Sequence, residues 1–496
     1  MKNYKIVILI FAVTTSMLFN SCSDDFLDRF PTDQISAEDA VATTGNLRLV
    51  LNGIHRSLYI RYGAQGRTGI GSLMIQNEVL GEDFVMNARA NGWFINAYQW
   101  NDHTNALDAD DLFPYRTYYR IARNANTIIN GVAVADGPDD EKNELRGQAL
   151  IYRAWVHFQL VQLYGMRYDA AGNNTQLGVP IVLTTDFEPI ARSTVEEVYQ
   201  RINDDLDEAI VLLDGSGQGD VPDLDLSVAQ GLKARVSLVQ GNWAVAAQFA
   251  ALARSGYTLA DFDTYFNSFS DSGNGEWMWG SRVQEDQSDR FGNFGAWVSR
   301  NFSSSNIRGN PKSINSLLHA TIPVTDVRSQ LFDPTGDHLN LPPGVEISSR
   351  HQRFPYTNQK FIAAGTGDSR MDTPYMRAPE MYLIEAEARA RMNDDAGAAA
   401  VLFELGSVRD PAYVLSVNTG QALIDEILLQ RRWELWGEGF RFYDLKRLNL
   451  PLNRNGANHP ANVAVIFDVP AGDPRWQWLI PQSALDANPL LEQNPL

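Results

Sequence analysis

The chain has 496 residues, 44% of them hydrophobic, with 60 acidic side chains against 41 basic ones and a net charge of −19. That length is enough for a large core or two subdomains, and the acidity argues against nucleic acid and anionic membrane surfaces as partners. A single cysteine excludes disulfide frameworks and cysteine-built metal or nucleophile sites.

Residues 1–21 read as a secretory signal. Lys2 and Lys5 give a positive start, 6–19 are apolar but too short to span a bilayer core of roughly 30 Å, and Asn20-Ser21 lead into Cys22. A lone cysteine at this position is a lipidation site, although Phe19 stands where Leu is more usual. Acylation there would anchor the mature protein without spanning the membrane, each buried methylene contributing about 0.8 kcal/mol. Acidic residues directly after the cysteine, Ser23-Asp24-Asp25, resemble a surface-export signal. Residues 22–36 are therefore expected to be an acylated linker, with the protein at the outer membrane and facing outwards.

Helical spacing follows. Apolar residues recur at helical intervals over 37–58 (Ala40, Leu47, Leu51, Ile54, Leu58), 112–134 (Tyr115, Tyr118, Ile121, Ala125, Ile128) and 141–164 (Leu145, Ala149, Tyr152, Val156, Leu160), with Gly165 a natural stop. Ser193 with Glu196 fits a capping box opening a helix that runs to about 213. Beyond a Gly/Asp-rich loop at 215–225, helices are expected over 227–240 and 244–254, joined by Gly241-Asn242-Trp243. Small residues let such a pair approach closely, and it is similar to a tetratricopeptide repeat. A second pair spans 382–405 around Asn393-Asp394-Asp395. Residues 262–372 are rich in Gly, Ser, Asn, Pro and aromatics and lack long periodicity, so short helices and loops are expected; long irregular stretches of this kind are usually functional. The expected fold is mainly α: tetratricopeptide-like pairs in a scaffold, with a long loop-rich insertion. Its regions are a helical part at 37–261, the irregular part at 262–375 and a C-terminal helical part at 376–496.

Signatures of catalysis are missing. The sequence has no His-Glu-x-x-His helix, no Gly-x-Ser-x-Gly elbow, no phosphate-binding Gly-Lys-Ser/Thr loop and no dinucleotide glycine fingerprint. The acid pairs Asp108-Ala109-Asp110-Asp111 and Glu285-Asp286 read as solvated loop acids, with a bound structural calcium as the alternative. No other cofactor, no catalytic metal and no enzymatic activity are expected.

Sugar binding would need other residues, aromatic rings for the apolar face of a pyranose and amide, carboxylate or guanidinium groups for its hydroxyls. Of the 11 tryptophans, Trp155 and Trp243 fall in helices and read as core. Trp433, Trp436, Trp476 and Trp478 belong to the C-terminal segment, where the last two pack the tail down. Trp93, Trp100, Trp277, Trp279 and Trp297 fall in loop-like sequence. Trp93 is the best candidate, since Arg89, Asn91 and Asp83 lie within a dozen residues of it. Trp297 with Asn293, beside Phe291 and Phe294, is the second. Trp277 and Trp279 alternate about Met278 as in a strand, with one of them expected inside.

The C-terminal segment carries the most distinctive wording: Gln430-Arg431-Arg432-Trp433-Glu434-Leu435-Trp436-Gly437-Glu438-Gly439-Phe440-Arg441, then Tyr443-Asp444-Leu445-Lys446-Arg447, then Trp478-Leu479-Ile480-Pro481 and Gln493-Asn494-Pro495. Its charges read as ion pairs that fix helix packing, with Arg431–Glu434 and Glu438–Arg441 at i,i+3 spacing. The segment resembles the tail of the SusD/RagB family of outer-membrane lipoproteins. Cys22 to Asp28 with Pro31, Arg146-Gly147-Gln148-Ala149 with Arg153-Ala154-Trp155, Gly178-Val179-Pro180, and Arg377-Ala378-Pro379-Glu380-Met381-Tyr382 extend the resemblance over the mature chain. It implies a cell-surface protein that does no chemistry. Such a protein captures a glycan and, as a lid, hands it to a SusC-like TonB-dependent transporter; capture of another nutrient such as peptide is the alternative. It also implies that the stretch around Trp93 supplies an aromatic and polar neighbours to the ligand site.

Overall fold

The structure is a computed structural model describing residues 36–186, 188–338 and 340–496. The signal segment and Cys22 lie outside the described residues. The chain is mainly helical, as expected. Its principal helices are α1 (Thr44–Ser57), α2 (Gly69–Val79), α3 (Ala109–Gly131), α4 (Asp139–Tyr164), α5 (Val195–Leu212), α6 (Leu226–Gln240), α7 (Trp243–Ala253), α8 (Ala378–Arg391), α9 (Asp395–Arg409), α10 (Gln421–Glu434) and α11 (Arg441–Arg447).

Helices α3 to α7 pack in sequence, each on the next, and α7 then packs on α8, which packs on α9 and α10. The stack therefore continues straight across the insertion at 254–377. Alanines make that approach close: Ala246, Ala250, Ala253, Ala386, Ala388 and Ala390 are all buried. The turn between α6 and α7 closes at Gly241, whose φ of +72° is left-handed and suits a residue without a Cβ.

Three local expectations are corrected. The stretch 37–58 is two helices, Ala37–Ala40 and α1, because Thr43 leaves the helical path to cap α1 and bridges to Asp136. The capping box at α5 sits one residue later: Glu197 N–H donates to Thr194 Oγ1 at 3.1 Å, and Thr194 N–H donates to Glu197 Oε2 at 2.8 Å. Trp277 and Trp279 do lie on a strand, Trp277–Ser281, but both are buried. The strand's pairing with Thr373–Arg377 slips in register at Trp279, which breaks simple alternation, and the Trp279 ring meets Trp155 and Tyr375, each at 5.0 Å.

Four very short strands, Phe84–Met86, Lys312–Ile314, Thr357–Asn358 and Phe332–Asp333, form an antiparallel sheet in that spatial order. It fastens the segment after α2 to the insertion. The tail closes over the end of α4: Trp478 N–H donates to Leu163 O at 3.0 Å, and Asn494 Nδ2 donates to Tyr164 O at 2.8 Å and Trp478 O at 2.6 Å. Trp476 and Trp478 are buried there.

The charged tail is structural, but its partners are not the i,i+3 neighbours. Helix α10 ends at Glu434, and Gly437 (φ +80°) and Gly439 (φ +90°) turn the chain, so 438–441 no longer share a helix face with 431–434. Glu434 instead meets Arg409 at 3.0 Å, Arg377 at 3.1 Å and Arg328 at 3.5 Å. Glu438 takes Lys360 and Arg377, each at 2.7 Å, and Glu276 takes Arg409 at 2.5 Å and Arg377 at 3.0 Å. All of these groups are buried.

Arg431 pairs with Asp444 at 2.8 Å, and Arg447 reaches the same carboxylate at 2.7 Å. Burial alone would raise the Asp444 carboxyl, but Arg431 and Arg447 outweigh it and bring it from 3.8 down to about 2. A folded-state value below the unfolded one means that the unfolded chain takes up the proton first as pH falls. The contribution of this carboxylate is complete above its ordinary 3.8 and is lost as pH drops through about 2. Melting temperature followed over that window is expected to fall less steeply in Asp444→Asn, which starts lower, than in the wild type.

Candidate functional site

The strand Phe84–Met86 leads into a loop, 87–94, that is pinned to the insertion. Asn87 Nδ2 donates to Pro311 O and Ser313 Oγ, each at 2.6 Å, and Ala88 N–H donates to Asn310 Oδ1 at 3.1 Å. Within the loop Ala90 (φ +37°), Gly92 (φ +85°) and Phe94 (φ +60°) are all left-handed. Two of these are not glycine, and backbone held in that region by its surroundings stores strain, which concentrates at working surfaces.

The result is a half-buried Trp93 whose ring is seated on Gly66; a Cβ there would come within 3.0 Å of Trp93 Cε3. Behind it stands Trp297, 3% exposed, with ring centroids 5.4 Å apart and planes tilted by 60°. Phe94 meets the same Trp297 ring edge-on at 5.5 Å. The two tryptophans singled out separately in the sequence thus belong to one aromatic cluster, with Trp93 as its outward member.

The polar residues named with them divide. Arg89 and Asn91 are exposed on the Trp93 loop, and Asn91 Nδ2 donates to Ser305 Oγ at 2.9 Å across the junction with the insertion. Asp83 is buried, and its carboxylate is held by Arg432 at 2.5 Å and Arg441 at 3.4 Å. Burial would raise its carboxyl, but these arginines bring it below the ordinary carboxylate range. Asp83 sits at the start of the strand and points into the tail, so it is a tail anchor rather than part of the Trp93 surface. Asn293 is 2% exposed and fully engaged, donating to Ser369 Oγ at 2.6 Å and Asp289 O at 2.9 Å and accepting from Ala296 N–H at 3.1 Å. It fixes the one-turn helix Gly295–Val298 that carries Trp297, and so supports the cluster from beneath.

Composition alone does not point to the residues that complete the surface. Gly66 provides the seat, Ser305 orients Asn91, and Arg61 pairs with Asp289 at 3.0 Å beside the cluster. Phe291 is 42% exposed and Phe302 stands 5.9 Å behind it. A separate hollow of about 490 Å³ opens in the insertion, lined among others by Phe266, Asp271, Lys360, Arg370 and Asp372. It shares no lining residue with the Trp93 surface. Glu285, with its side chain 86% exposed, is a surface acid as read from the sequence.

The family model described as "Starch-binding associating with outer membrane" matches residues 64–236, and the model described as "SusD family" matches residues 335–496. The chain belongs to the SusD/RagB family. A SusD-like protein of Bacteroides ovatus is 22% identical, over 88% of this chain and 81% of its own. The crystal structure of a SusD-like carbohydrate binding protein from Bacteroides vulgatus superposes with a TM-score of 0.76 at 23% identity, covering 91% of this chain and 97% of the other. That of a SusD superfamily protein from Bacteroides thetaiotaomicron gives a TM-score of 0.76 at 24% identity, covering 92% and 100%. Among the described residues, no helix is long and apolar enough to cross a membrane.

Proposed function

We propose that this protein is a glycan-binding lipoprotein of the outer membrane that captures an oligo- or polysaccharide and delivers it to a SusC-like TonB-dependent transporter. The observation that carries the reading is the Trp93 ring, half-buried, backed by Trp297 and flanked by exposed Asn91 and Arg89. A pyranose stacked on that ring would leave its equatorial hydroxyls to the amide and the guanidinium. Family membership supports a binding role, and the family model matching residues 64–236 is one of starch-binding proteins that associate with the outer membrane. The anchor would be an acyl group on Cys22. Such a tether keeps the protein at the membrane, so modest affinity for the transporter is sufficient.

Electrophoresis through native gels cast with a panel of polysaccharides tests the capture step. Retardation by at least one polymer, relative to a gel without polysaccharide, is the expected result. Unchanged mobility throughout the panel would remove glycan capture by the isolated protein and favour peptide as the cargo.

A further inference from the structure

Away from the Trp93 cluster, the loop entering α3 and the first turn of that helix gather an unusual set of acids. Asp102, Asp108 and Asp110 each place a carboxylate oxygen within 4.8 Å of the other two. Two oxygens bound to one calcium ion at about 2.4 Å lie at most about 4.8 Å apart, so the three fit a common ion. Asp102 is 3% exposed and its Oδ1 has no hydrogen-bond partner. Asp111, one residue beyond the trio, is 0% exposed and neither of its oxygens has a partner.

The positive charge set against these groups is small. Arg67 donates from Nε to Asp110 Oδ1 at 2.7 Å, and its field also reaches Asp102. Asp108 spends one oxygen as the N-cap of α3, accepting from Asp110 N–H at 2.7 Å. Buried carboxylates are ordinarily paired, hydrogen-bonded or bound to a metal. Here Asp102, through Oδ1, is neither paired nor hydrogen-bonded, and it belongs to a trio with cation-binding spacing.

We infer that Asp102, Asp108 and Asp110 hold a divalent cation of the calcium class. An all-oxygen donor set selects hard cations, Ca²⁺ or Mg²⁺, over zinc or copper. The ion would brace the loop against α3. It would also fix Asp110 as the partner of Arg67, whose neighbour Gly66 is the seat of Trp93. The site itself does not depend on what Trp93 binds.

The test uses the purified protein stripped with chelator, then titrated with Ca²⁺, Mg²⁺ or Tb³⁺. Its melting temperature is expected to rise by several degrees and saturate with Ca²⁺ or Mg²⁺. Tb³⁺ emission excited through tryptophan is expected to appear, since Trp100 lies two residues before Asp102, and to be displaced by Ca²⁺. Asp102→Asn and Asp108→Asn are each expected to weaken the cation by about tenfold or more, because each removes one anionic ligand. Asn keeps the N-cap at 108, and should that variant fail to fold, Asp102→Asn and the wild-type titrations decide the matter. A melting temperature indifferent to millimolar Ca²⁺ and Mg²⁺ would overturn the inference. Tb³⁺ binding undiminished in Asp102→Asn would overturn it as well.

Discussion

Replacing Glu434 by alanine is expected to destabilise the protein by about 3–5 kcal/mol, the range for breaking a buried ion pair from one side. The carboxylate is 0% exposed and lies within 3.5 Å of Arg409, Arg377 and Arg328. Burial works against its ionisation, but those three arginines more than compensate and hold its carboxyl far below the usual range. Taking it away leaves three buried guanidinium groups competing for Glu276, Glu438 and Asp326. The consequence is global because of where these residues come from. Arg377 ends the strand Thr373–Arg377 and immediately precedes α8, Arg409 ends α9, Glu434 ends α10, and Glu276 precedes the strand Trp277–Ser281. The network thus locks the insertion to the C-terminal helices. Denaturant unfolding at neutral pH checks it, with Glu434→Gln also expected to lose stability because an amide keeps the shape but not the charge. A loss below about 1 kcal/mol, as for a surface pair, would mean that the arginines find other partners.

Trp93→Ala carries the second large effect, on binding. Removing a stacked aromatic face is expected to cost about 2 kcal/mol, roughly a thirtyfold loss of affinity for any glycan that the wild type retains. Melting temperature should change little, since the ring is only half-buried. Trp297→Ala is the informative companion. That ring is 3% exposed and backs both Trp93 and Phe94, so its removal leaves a cavity costing about 3–5 kcal/mol of stability. Binding and stability should therefore separate at 93 and fall together at 297. Equal loss of stability in both variants would make Trp93 a core residue, and its place in recognition would lapse.

Much of the scaffold was legible because helices that bury one face, such as α1 and α3, repeat their apolar residues, and because small residues about the Gly241-Asn242 turn mark the pair α6 and α7. The four-strand sheet was not, because strands of two or three residues drawn from 84, 312, 332 and 357 have no period to detect. The partners of the tail charges were hidden for a related reason. A spacing of i,i+3 implies contact only on a continuous helix; Gly439 breaks it between Glu438 and Arg441, while Glu434, still on α10 with Arg431, is taken by Arg409, Arg377 and Arg328. Asp83 shows how proximity in sequence misleads: it is ten residues from Trp93, yet the strand between them sends its carboxylate to Arg432. Loop composition alone singles out both Trp93 and Trp297. That their rings meet depends on Gly66 and on a loop with three left-handed residues, and nothing local in sequence encodes that meeting.

The most direct measurement is a crystal structure of the protein with the oligosaccharide that retards it. The predicted result is a sugar ring stacked on the outer face of Trp93, with hydroxyls in hydrogen-bond reach of Asn91 and Arg89. Sugar lodged instead in the 490 Å³ hollow beside Lys360 and Arg370, with Trp93 bare, would contradict the assignment of the glycan site to the Trp93 surface.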